Sequence, residues 1–193
     1  MPASVTATVT VEHAFDAPPR DVWVALSDPG TVGDALPGCA SLSSAQKTRP
    51  RCSLSRLLAA DPATREARCV AEGERYDATL AARVRDAEAA LDGTVAVTER
   101  DYPRLAVESE AHADEAAVAA AVSLTVADAE DGCRVTLSAR ADVSGVLAAH
   151  GRRPVEAAAA RCANAFFEAV EARLAAVGGP ESERAVKDPD WRA

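Results

Sequence analysis

From Val5 to Phe15 the chain alternates. Val5, Ala7, Val9, Val11, His13 and Phe15 fall on one side and Thr6, Thr8, Thr10 and Glu12 on the other, the period of a strand half-buried on a sheet. The period then changes. Pro18 and Pro19 suit the first turn of a helix, where no backbone donor is needed, and Val22, Trp23 and Leu26 supply its apolar stripe until Asp28-Pro29-Gly30 ends it. After a second short helix, residues 39–45 enter the sheet.

A run of alternating segments follows. Tyr76, Ala78, Leu80, Ala82 and Val84 point one way, and Leu91, Gly93, Val95 and Val97 continue the pattern, which extended further places Glu99 inward. Asp101-Tyr102-Pro103 predicts a turn, beyond which Leu105, Val107, Ser109 and Ala111 face in. Val118, Ala120, Val122, Leu124 and Val126 form the next inward row. Glu130-Asp131-Gly132 is a hairpin turn into Cys133, Val135, Leu137, Ala139, Ala141 and Val143. From about Pro154, Val155, Ala159, Cys162, Phe166, Val170, Leu174 and Val177 recur at helical spacing, with Arg161, Glu168, Glu171 and Arg173 largely off that face, and Gly178-Gly179-Pro180 stops the helix. The pattern is an antiparallel meander closed by one long helix.

Composition narrows the function. In 193 residues the apolar share of 48% is ample for one core, read as a single domain over 1–178 with a polar tail at 179–193 carrying one anchor, Trp191. A net charge of -9 leaves no patch able to neutralise phosphates, so nucleic acid is not an expected partner and membrane contact is at most peripheral. The longest uncharged run is too short to span a bilayer and the N-terminus has no signal-like segment, which gives a cytoplasmic expectation. Five cysteines in no close pair and three histidines match no disulfide framework or zinc spacing, so no metal site is expected. Nucleophile triads and glycine-rich phosphate loops are missing, and no catalytic residue is assigned.

Three blocks point to a family. They are Ala17-Pro18-Pro19-Arg20-Asp21-Val22-Trp23, then Leu36-Pro37-Gly38-Cys39, then Ala165-Phe166-Phe167-Glu168-Ala169-Val170. In this order the chain resembles the CoxG family of carbon monoxide dehydrogenase proteins, a branch of the START-like (SRPBCC) helix-grip superfamily that also holds birch pollen allergens and polyketide cyclases. The resemblance implies an α+β fold in which a curved seven-stranded antiparallel sheet wraps around the C-terminal helix, with two short helices between the first two strands. It also implies a non-catalytic carrier of a hydrophobic small molecule, such as a menaquinone- or ubiquinone-like quinone, with no covalently bound cofactor and a molybdenum-containing dehydrogenase as partner. A polyketide cyclase or aromatase is the alternative, and a ligand-free assembly factor a third reading.

The expected ligand contacts are His13, Trp23, Leu36, Pro37, Leu80, Val95, Val122, Leu137, Phe166 and Val170. His13 is the one histidine on an inward face, and Glu99 is its nearest expected carboxylate. Trp23 reads as a core anchor or a ligand contact, and Leu36-Pro37-Gly38-Cys39 as a chain reversal or a pocket rim. With 4% aromatics and many inward alanines, the interior either holds a guest or the sheet collapses onto the helix. Residues 46–73 read as an insertion in the family pattern. Its arginines make it the most basic stretch, expected as a solvated loop or a docking site for an acidic partner.

Overall fold

A computed structural model describes residues 2–44 and 46–177; the expected helix stop at Gly178-Gly179-Pro180 and the tail with Trp191 lie outside them. The chain runs β1 (Ser4–Phe15), α1 (Pro19–Ser27), α2 (Pro29–Ala35), β2 (Cys39–Ser44), α3 (Leu54–Ala59), α4 (Pro62–Arg68), β3 (Arg75–Val84), β4 (Ala87–Asp101), β5 (Arg104–Ala113), β6 (Ala116–Ala129) and β7 (Gly132–Gly145). A short 3-10 turn (Val146–Ala148) leads into α5 (Arg152–Val177). One sheet holds all seven strands in the order β1-β7-β6-β5-β4-β3-β2, every pairing antiparallel. Consecutive strands from β2 to β7 are neighbours, and β1 closes on β7, so the chain's first and last strands meet. α5 runs along β1 and approaches β3. This is the helix-grip arrangement.

Local chemistry sets the turns. Asp28 ends α1 and caps α2: its buried carboxylate accepts from Thr31 N at 2.9 Å and Thr31 Oγ1 at 2.7 Å, while Pro29 fills the first helical position, where no donor is needed. Gly38, at φ +76°, swings the chain into β2, and a Cβ there would stand 2.3 Å from Ala81 O. Gly93 lets β4 press onto β5, since a Cβ would meet Glu110 O at 2.0 Å and Ala111 Cα at 2.5 Å.

The register of β4 shifts between Val97 and Glu99. One extra residue reverses which side faces in, so Arg100, opposite the buried Leu105, takes the inward slot expected of Glu99. Glu99 instead points toward water and pairs with Arg104 at 3.4 Å.

The segment expected as a solvated loop is folded. α3 and α4 are capped by Ser53 and Asp61, and Leu57 is buried with Val24 and Cys69 in a small core of its own. Its basic character is spent largely inside the molecule. Arg49 donates to Glu74 Oε1 at 2.9 Å and to Tyr76 Oη at 2.8 Å, Lys47 donates to Glu74 at 2.8 Å, Arg65 is buried, and Arg68 donates to Pro50 O.

Candidate functional site

The inner face of the sheet is covered at its ends and open in its middle. Along β3, Tyr76 and Val84 are buried while Ala78, Leu80 and Ala82 between them are half-exposed. On β6 the same holds for Val118, Ala120, Val122 and Leu124 between the buried Ala116 and Val126. Register aligns these positions: Val95 pairs with Ser109, Ser109 with Ala120 and Ala120 with Ala141, so a row of small side chains crosses four strands.

Packing follows the same division. One core cluster gathers Val11, Phe15, Val22, Leu26, Val135, Leu137, Phe166, Phe167 and Val170; a second, separate one gathers Ala7, Val84, Leu91, Ala116, Val143, Leu147 and Val155. Leu80 and Ala120 on the sheet, and Ala159 and Cys162 on α5, join neither and stay half-exposed. Burial nonetheless pushes the Cys162 thiol up from its ordinary value, which marks a recess rather than open surface.

One end of this space is aromatic. The His13 ring lies 4.7 Å from Phe15 and 5.6 Å from Phe167, and Phe166 and Phe167 are 5.7 Å apart. His13 Nε2 is 2.9 Å from Glu171 Oε2, so the carboxylate partner comes from α5 and not from Glu99. Helical spacing puts Glu171 largely off the packing face, yet four residues past Phe167 it returns to the same side of the helix.

The ten expected contacts divide into groups. Leu137, Phe166 and Val170 are buried core, with Val170 at 0% exposure, and Trp23, Leu36 and Val122 pack half-buried against them. Val95 joins Tyr76, Val97 and Leu105 in a third cluster that Trp23 also touches. Leu80 faces the open middle, Pro37 stays at the α2–β2 turn, and His13 sits in the aromatic end. Periodicity counts Ala159 and Cys162 as helix core; they oppose the space because the apolar stripe of α5 is thinnest there.

Comparison with known proteins gives the lineage. The model of CoxG, a family of carbon monoxide dehydrogenase proteins, matches residues 69–175, more than half of the chain. The chain belongs to the CoxG family. No curated protein matches it. Among solved structures, a conserved protein from Geobacillus kaustophilus superposes with a TM-score of 0.64 at 19% identity, covering 91% of this chain and 95% of that one. TTHA0849 from Thermus thermophilus gives 0.58 at 16%, covering 89% and 99%. Ara h 8.0201 gives 0.56 at 12%, covering 89% and 99%. At these identities the likeness fixes the fold alone, START/Bet v 1-like.

This CoxG-family chain has a second concavity, outside the sheet–helix interior. A cleft of about 980 Å³ runs between α2, β2 and residues 47–54, and none of the ten expected contacts lines it. Among the described residues no three His, Cys, Asp or Glu side chains gather as a metal site, and no helix is long and apolar enough to cross a membrane.

Proposed function

We propose that this CoxG-family protein is a non-catalytic carrier that holds an elongated apolar molecule between α5 and the middle of the sheet. The observation supporting this is the divided core: two packed clusters with a half-exposed, small-residue row between them, bounded by Leu80, Ala120, Ala159 and Cys162. Interiors pack densely, and apolar surface left in contact with water forgoes about 25 cal/mol per Å², so such a space favours an apolar occupant. In the family context the occupant is a quinone of the menaquinone or ubiquinone type, and the partner a molybdenum-containing dehydrogenase.

The test is direct. Purified protein is extracted with organic solvent and analysed by mass spectrometry, then titrated with a menaquinone analogue. The expected result is a stoichiometric apolar compound or saturable uptake that Ala120→Trp abolishes while the fold is retained. Clean protein with no uptake overturns the proposal.

A further inference from the structure

We infer that the free edge of β2 is a strand-addition site for an extended, acidic segment of a partner protein. β2 ends the sheet and pairs only with β3, so its outer edge presents unpaired backbone groups. The 980 Å³ cleft touches every residue from Cys39 to Ser44. Successive side chains of a strand point to opposite faces, so a cleft that meets all six must lie along the edge itself. Six residues extend for roughly 20 Å, which suits a strand better than a compact small molecule.

The opposite edge of the sheet is protected. α5 runs along β1, and Glu156 accepts a hydrogen bond from Thr8 N at 3.3 Å, so that edge is already engaged. β2 receives no such cover from α5.

Charge selects the occupant. In a chain of net charge -9 the cleft walls carry Lys47, Arg49, Arg51, Arg68 and Arg173 against only Asp28 and Asp34. Glu74 behind the wall offsets part of this, but Arg51 is exposed with no carboxylate partner among the described residues, and the buried Nε atoms of Arg49 and Arg68 have no acceptor. An acidic strand would take backbone hydrogen bonds from β2 and charge from these walls. A second copy of the chain fits poorly, because pairing two β2 edges brings the two basic walls together. The inference does not depend on what occupies the interior.

The experiment uses the full chain and fluorescence anisotropy of a labelled seven-residue peptide alternating Glu and Val. Saturable binding is expected, with Arg51→Glu weakening it about tenfold, worth about 1.4 kcal/mol. N-methylating one alternate set of peptide residues should abolish binding, whereas methylating the other set should change it less than about threefold, because only every second amide faces the edge. Arg51→Glu is surface-exposed, and an unchanged circular dichroism spectrum confirms that it folds. Equal effects of the two methylated peptides, equal binding of a Lys/Val peptide, displacement by inorganic pyrophosphate, or no binding up to about 1 mM would each overturn the inference, and so would a β2-linked dimer in sedimentation.

Discussion

The guanidinium carbon of Arg100 lies 5.7 Å from the centre of the Trp23 ring, and the same guanidinium pairs with Glu66 on α4. Three elements therefore meet at one side chain: β4 supplies the cation, α1 the indole and α4 the carboxylate. The bulge before Arg100 makes this contact, since unbroken alternation would point the arginine to water. Tyr102, edge-on to Trp23 at 5.4 Å, completes the cover of the indole.

Arg100→Ala should lower the unfolding free energy by about 1–2 kcal/mol, the range of a partly desolvated cation–π contact. A double-mutant cycle with Trp23→Leu, read by urea denaturation, should return a coupling of at least about 0.5 kcal/mol. Additive single effects would show that the two side chains do not interact.

Acid should unfold the protein through Glu74. Burial alone would raise its carboxyl pKa, but hydrogen bonds from Lys47, Tyr76, Ala71 N and Arg49 outweigh this and hold it at about 2. A carboxylate depressed in the folded state contributes stability that is full above its unfolded value near 4.5 and is lost as pH falls toward 2. Urea midpoints between about pH 5 and pH 2 should therefore drop more steeply for the native chain than for Glu74→Gln. At about pH 7 Glu74→Ala should cost about 3–5 kcal/mol, because it strands the largely buried Arg49.

Gly38→Ala combines an unfavourable φ with a backbone clash at Ala81 O. Its expected penalty is at least about 1–3 kcal/mol, visible as a lower Tm. A wild-type Tm would mean that the α2–β2 turn relaxes freely.

Ala120→Leu and Ala159→Leu probe the space between the two core clusters. In an already filled interior each would overpack and destabilise by about 1–3 kcal/mol. In the divided core described above, thermal unfolding should shift little or upward, while uptake of a menaquinone analogue falls.

Alternation reveals most of the sheet, because residues buried on one face repeat every second position, as in β1, β6 and β7. It does not reveal the bulge in β4, since Thr98 differs in no way from an ordinary outward residue, and simple alternation puts Glu99 inward for that reason. Charge alone makes the 46–73 segment look solvated, yet its arginine Arg49 is matched by Glu74, and its own Glu66 by Arg100, pairings that only the folded chain brings near. Periodicity also gathers Trp23, Leu36, Val122, Leu137, Phe166 and Val170 into one neighbourhood. What it does not register is that the middle of the face stays half-exposed, because exposure depends on how closely α5 approaches each strand.

Asp28 serves two helices with one carboxylate, and its neighbour Ser27 receives Val70 N at 2.8 Å through its carbonyl. The helical pair is thus a single bent lever hinged to the stretch that precedes β3. Any widening of the interior on that flank has to swing both arms at once, and substitutions at Asp28 should be felt as a change in how readily a guest enters or leaves.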